Sequence, residues 1–504
     1  MEKWIRSCEE NHSQCASVPH NLPKRVIDVG VQGLHEPKLV ETAGQEAAHY
    51  MTLSHCWGKK PVIKTTTNTL KHYLKELPMG SLPDTFRDAV TITRALGIQY
   101  LWIDSLCIIQ DNTIDWEQQS AVMGSIYASS YMTIAASASR DSSGGCFLPR
   151  ATDTNVRIKC TLEDGKEGHV VVRPKACGFK DLDHSFLQTR AWVAQERLLS
   201  PRALHYDIDQ IMWECKEVRL TEDGVPVGVD LDSRQADIWD GRFHLKYPFL
   251  IEGSSSYRDF VWDWYAMLDN YTSRNLTDAD DKLPALSGLA SVMISRTGDR
   301  YAAGLWESHL HVGLLWKRIP KDPWLTSPKQ YRAPSWSWAA YDGAVITQTN
   351  AGLNSSSSPH LSTIDVNKVD INPLGLDLNG RLKSGSITVT ARLKKVRPRE
   401  NPDGVNYKVF PEDGLGQDII RDHFTGESIG CVNFDEAYIP GGGALFCLQM
   451  TERKHPNRTV CHCLVLEYTE NRNIFKRVGA GLTGVGDSRA GWFEDAGKKN
   501  ICII

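Results

Sequence analysis

The stretch Tyr100–Ile109, YLWIDSLCII, constrains the fold of this chain more than any other. A near-continuous apolar run of this length reads as a strand covered on both faces, which is the condition of a parallel sheet with helices on either side. The neighbouring segments agree. YMTLSHCW (Tyr50–Trp57) is a second strand-like run, and LPDTFRDAVTITRALGI sets Phe86, Ala89, Val90, Ile92 and Ala95 near one helical face, with Gly97 at its end. DWEQQSAVMGSIYASS opens on Asp115 and Glu117 and carries an apolar stripe through Trp116, Val122, Met123 and Ile126; YMTIAAS then returns as a strand. Strand, helix, strand, helix, strand is the grammar of a parallel α/β sheet. Such sheets bind ligands beyond the carboxyl ends of their strands.

The remainder divides by composition. KCTLEDGKEGHVVVRP, within a loop-rich insertion at 151–186, reads as a hairpin around Asp164-Gly165. WVAQERLLSPR (Trp192–Arg202) is a short helix closed by Ser200-Pro201, followed by the strand-like ALHYDIDQIMWEC. Residues 255–345 are helical and Trp-rich, AGLNSSSSPHLST (351–363) is a polar linker or surface loop, and SITVTARLKKV, ALFCLQM, TVCHCLVLEYT and IFKRVGAGL give a β-rich C-terminal region. The expected division is an N-terminal extension (1–49), an α/β domain (50–218), a helical extension (219–350) and a β-rich region (351–504). No repeat period is present.

With 57 Lys+Arg against 61 Asp+Glu, a net charge of -4 offers no field that gathers nucleic acid. The N-terminus lacks a signal-peptide core, and no stretch reaches the roughly 18 uncharged apolar residues of a membrane span. A soluble, cytoplasmic protein is expected, with its 13 cysteines mostly reduced and buried, and with no glycosylation at the sequons of Asn11, Asn275, Asn354 and Asn457.

Several constellations carry candidate chemistry. In SHCWG (Ser54–Gly58) strand alternation sends His55 and Cys56 to opposite faces, so they are not a nucleophile–base pair, but the loop can line a ligand. Asp104 ends a buried run in a charge, which calls for a partner, a capping role or a ligand. Cys8, His12 and Cys15 (C-x3-H-x2-C) have metal-like spacing but supply three donors only, so no metal site is assigned; CHC at 461–463 is split by strand alternation. GAGLTG (Gly479–Gly484) matches G-x-G-x-x-G without a following helix and reads as a decoy. WDW and SWSW read as core, because no basic stripe accompanies them. Trp192, Glu196 and Leu199 share one face of the short helix, with Arg197 pointing away. A glutamate on that apolar face is either half of a buried ion pair with Arg190 or Arg202, or a functional carboxylate.

YMTLSHCWG, LPDTFRDAVTITRALGIQYLWIDSLCIIQD, DWEQQSAVMGSIYASSYMTIAASASRDSSGG and RAWVAQERLLSPRALHY resemble, in order and spacing, the fungal heterokaryon-incompatibility (HET) domain. CEENHSQC and LPKRVIDV before them, and YTSRNLTDADDKLPALSGLA, YAAGLWESHL and APSWSWAAYDG after them, look like the flanks of such proteins. HET domains look like distant relatives of TIR domains, which have a flavodoxin-like α/β fold and in several branches cleave NAD at the nicotinamide–ribose bond through a glutamate in a Trp-x-x-x-Glu helix after the third strand. The resemblance therefore implies a TIR/flavodoxin-like parallel sheet with inserted loops, NAD as substrate, no cofactor and no metal in the reaction. It implies Glu196 as the catalytic residue and Trp192 as an apolar wall. The loops carrying Ser54, His55, Cys56, Trp57, Asp104 and Ser105 are the expected grip on the dinucleotide. It also implies a setting in regulated cell death, with homo-oligomers and an incompatibility partner protein. The chain departs from the family at Gln119, where a glutamate is usual in the D-W-x-x-E-S helix, Glu117 lying on the helix's other side. The alternatives are a non-enzymatic, self-assembling recognition module and an enzyme recruited to other small-molecule chemistry.

Overall fold

The computed structural model describes all residues except 16–17, 32–34, 45, 60, 151–155, 162–164, 173–175, 177, 225–256, 320–321, 348–360, 399–417, 423–427, 438–443, 456–457, 472 and 485–490. Most of the Ser-rich stretch, Asp164 at the hairpin tip, the sequons at Asn354 and Asn457 and the residues just after GAGLTG lie outside this set. The chain forms two compact units, Met1–Glu252 and Gly253–Ile504.

The first unit is built on an eight-stranded mixed sheet. Its strands are β1 (Arg25–Asp28), β2 (Lys38–Glu41), β3 (Tyr50–Ser54), β4 (Tyr100–Trp102), β5 (Met132–Ala135), β6 (Arg202–Tyr206), β7 (Ile211–Cys215) and β8 (Arg219–Thr221). The order is β8-β7-β6-β5-β3-β4-β1-β2. β6, β5, β3 and β4 run parallel, while β1, β2, β7 and β8 add antiparallel pairs at both edges. All residues of β3, β5 and β6 are buried, as parallel strands under helices must be. The sheet is thus mixed where the sequence suggests a parallel one, because residues 25–41 fold onto one edge and residues 211–221 turn back along the other.

Five helices matter here: α1 (Glu2–Asn11), α2 (Asp84–Ala95), α3 (Asp104–Cys107), α4 (Thr113–Ala128) and α5 (Trp192–Leu199). Phe86, Ala89, Val90 and Ile92 of α2 face the core as expected, but Ala95 is exposed. The run 100–109 stays buried yet is a strand only through Trp102, since the Asp104 carboxylate accepts the Ser105 N–H at 2.7 Å and starts the turn of α3. α4 presents a different face from the expected one. Asp115, Gln119, Met123, Ile126 and Tyr127 are buried, whereas Val122 is exposed and Trp116 half-buried. The cause is Arg25, which draws Asp115 inward into a buried ion pair, with the Ile109 N–H donating to the same carboxylate at 2.9 Å.

In the second unit, helices Tyr257–Tyr271 and Pro284–Thr297 accompany a tryptophan core: Trp264, Trp306, Trp316, Trp336 and Trp338 have no exposed surface. At about 2–3 kcal/mol for each large apolar side chain removed from water, burial of this cluster stabilises the unit substantially. A nine-stranded sheet follows, in which strands 382–398, 445–455, 458–468, 474–483, 428–434 and 418–422 pair in turn and close on themselves. All of the G-x-G-x-x-G motif but Gly484 lies in strand Ile474–Thr483, and a Cβ at Gly481 would stand 2.4 Å from the Cys431 carbonyl oxygen of the paired strand. These glycines serve close strand approach, so the motif is the decoy the sequence suggests.

Candidate functional site

The carboxyl ends of β3, β4 and β5 lie side by side, and three segments meet there: Ser54–Gly58, Asp104–Cys107 and helix α5. α5 packs on β3 and on α4, which carries Glu196 to the end of β3. The Ser54 hydroxyl donates to Glu196 Oε2. The Tyr127 hydroxyl lies between the Leu53 carbonyl, 3.1 Å away, and the Glu196 carboxylate. Glu196 is only 3% exposed. Burial pushes its carboxyl up to about 7; the Arg190 charge and the Ser54 and Tyr127 hydroxyls pull the other way without cancelling it.

The rest of the predicted set is split between contact and support. Trp57 Nε1 donates to Asp104 Oδ2 at 2.8 Å, tying the first strand-end loop to the second. The His55 ring packs edge-on against Phe86, with Nδ1 3.9 Å from Asp104 Oδ1. Burial, outweighing the attraction of Asp104, holds His55 down at about 4, so it is neutral at pH 7. Cys56 packs with Ala135, Leu187 and Val193, away from His55, as alternation requires. Trp192 is half-buried at the start of α5, one turn before Glu196. Two buried polar atoms here have no hydrogen-bond partner, His55 Nε2 and Ser105 Oγ. Gly58 keeps the loop closed: its φ is +75°, and a Cβ would stand 2.2 Å from that of Asp141.

The ion-pair alternative for Glu196 is reapportioned. Arg202 bonds the carbonyls of Tyr131 and Cys15 and the sulfur of Cys8 instead. Arg190 donates to the His55 carbonyl and supplies charge near Glu196. Arg197 does point away from Glu196, but into the protein, pairing with Glu214 (2.6 Å) and Asp183 (2.7 Å). Glu214, fully buried on β7, also meets Arg219 (2.6 Å) and His205 Nε2 (3.2 Å). Against the cost of burial, the Arg197 and Arg219 charges and the His205 hydrogen bond hold it well below the usual carboxylate range.

Two participants, Tyr127 and Cys215, escape a sequence reading. Tyr127 belongs to the Asp115, Gln119, Met123, Tyr127 register of α4, a spacing that was visible once Asp115 is known to point inward. Gln119 is buried and Glu117 exposed, so the family departure falls on an interior position. Cys215 is brought beside Cys8, His12 and Cys15 only by the fold. Among the described residues no helix is long and apolar enough to cross a membrane.

Residues 50–196 match the family model described as heterokaryon incompatibility protein (HET). No curated protein and no solved structure matches the chain.

Proposed function

We propose that the HET domain this chain carries, a mark of heterokaryon-incompatibility-related proteins, cleaves the nicotinamide–ribose bond of NAD with Glu196 as the working carboxylate. The observation that carries the reading is a fully buried carboxylate, raised to about 7, standing at the carboxyl ends of parallel strands. The strand order supports it. Numbered along the chain, the four parallel strands run second, first, third, fourth, an order shared with flavodoxin-like sheets, in which the ligand crevice opens between the first and third strands. Ser54, the partner of Glu196, ends the first of them.

The reaction needs one carboxylate. As the C1′–N bond breaks, its electron pair leaves on the nicotinamide nitrogen, which passes from pyridinium to neutral pyridine and requires no proton, so the paired acid of ordinary glycosidases has no task. The ribose C1′ becomes oxocarbenium-like, and an ionised Glu196 stabilises it by charge and by accepting from a ribose hydroxyl in place of Ser54. Water adds to C1′ and gives up one proton, which a carboxylate titrating near 7 is suited to accept. Trp192 walls the sugar, and the loops holding His55, Trp57, Asp104 and Ser105 grip the dinucleotide, with His55 Nε2 and Ser105 Oγ free to bond it. At 3% exposure Glu196 is reached only when the side chains covering it part. Regulated cell death in the cytoplasm is the setting this activity suits.

A second reading is a self-assembling module that meets an incompatibility partner protein without chemistry. It is favoured by the burial of Glu196 with protein hydroxyls as partners, since a satisfied interior carboxylate needs no ligand. Incubating the full chain with NAD over a range of protein concentrations and following nicotinamide separates the two. The catalytic reading expects release by the wild type and background release by a folded Glu196→Ala variant. Equal turnover in both removes Glu196 from the chemistry, whereas no turnover at any concentration alongside clear oligomers establishes the other reading.

A further inference from the structure

Cys8 lies in the last turn of α1, His12 caps the C-terminus of that helix with its N–H on the Cys8 carbonyl, Cys15 follows in the 3-10 turn Ser13–Cys15, and Cys215 ends β7. Their four donor atoms all lie within 4.8 Å of one another. We propose that these residues form a Cys3His structural zinc site that fastens the N-terminal helix to the edge of the central sheet.

The geometry is that of a closed tetrahedral site. Sulfurs on a zinc with Zn–S of about 2.3 Å stand about 3.8 Å apart, within the spread observed here. Cys215 Sγ and His12 Nδ1 are already 3.4 Å apart. All three cysteines are buried and His12 is partly exposed, leaving no position for a substrate.

A second observation is independent of spacing. Arg202 is wholly buried, and its guanidinium meets Cys8 Sγ at 3.4 Å, the Cys15 carbonyl at 2.7 Å, the Tyr131 carbonyl at 3.2 Å and the Tyr131 ring, with no carboxylate in ion-pair reach among the described residues. A buried cation among neutral thiols is costly. Three thiolates, one neutral imidazole and Zn2+ sum to one negative charge, which balances Arg202. The Val218 N–H, 3.3 Å from Cys215 Sγ, adds the backbone donor that thiolate ligands attract. Binding Zn2+ displaces three thiol protons to solvent and leaves His12 neutral. Because Cys215 adjoins Glu214 on β7, the metal also steadies the strand that holds Arg197 on helix α5.

The test uses the full chain. About one zinc per chain should survive chelator dialysis, as expected of a closed structural site. Cys8→Ser and Cys215→Ser should lose it, while Cys160→Ser, outside the cluster, keeps it. Should the variants fail to fold, cobalt-substituted wild type decides: tetrahedral d–d and thiolate charge-transfer bands support the site, and His12→Cys should retain metal with an added thiolate signature. A zinc-free wild type whose 13 cysteines all titrate as free thiols overturns it. So does a disulfide joining Cys8 or Cys15 to Cys215, or full zinc content in Cys215→Ser.

Discussion

Glu196 and Glu214 are both sealed inside the first unit, and they are opposites. Glu214, on β7 between β6 and β8, is enclosed by Arg197, Arg219 and His205 and is held ionised. Glu196, at the strand ends, meets two hydroxyls with one arginine nearby, and burial wins. A buried charge that is fully compensated fixes structure; one left partly uncompensated retains the capacity to bind or react. α5 carries one of these carboxylates and, through the next residue, Arg197, anchors the other.

Removing compensation should hurt most. Glu214→Gln takes the shared carboxylate from Arg197 and Arg219, leaving Arg197 only Asp183, and is expected to cost about 3 kcal/mol in urea unfolding, where Glu196→Gln costs nothing at pH 8. Similar losses from the two substitutions would erase the distinction.

The next effect has a sign fixed by linkage. Glu196 binds its proton more tightly folded than unfolded, so wild-type stability falls as pH rises from its ordinary value, 4.5, to about 7, then levels. Relative to Glu196→Gln, which lacks the titration, the wild type should lose on the order of 3 kcal/mol across that window. Parallel stability–pH curves for the two proteins contradict it.

Smaller changes sharpen the description of the strand-end site. Ser54→Ala deletes a hydrogen bond to the charged form of Glu196 and is expected to cost about 1.5–3 kcal/mol at pH 8, with less loss at pH 5. Tyr127→Phe removes a shared donor and should cost about 1 kcal/mol, again more at pH 8 than at pH 5. Equal costs at both pH values would mean that these hydroxyls do not serve the carboxylate.

Much of this was legible in the sequence because it followed from local pattern. The parallel strands, the α2 face through Phe86, Ala89, Val90 and Ile92, the turn at Ser200-Pro201 and the anomalous Glu196 are statements about neighbours a few residues apart. Long-range pairing was not. Arg25 turned the face of α4 by claiming Asp115, residues 25–41 and 211–221 made the sheet mixed, and Arg197 found Glu214 in the interior. The fourth donor to Cys8, His12 and Cys15 lies on a strand that no spacing motif reaches. Local periodicity records which residues want burial; it does not record which distant charge or thiol will meet them there.

Nicotinamide release from NAD, followed from pH 5 to 9, tests the account most directly. The prediction is a rate that rises as Glu196 ionises through about pH 7 and then stays level, with Glu196→Gln at background throughout. A rate independent of pH across that range, or a Glu196→Gln variant as active as the wild type, contradicts it.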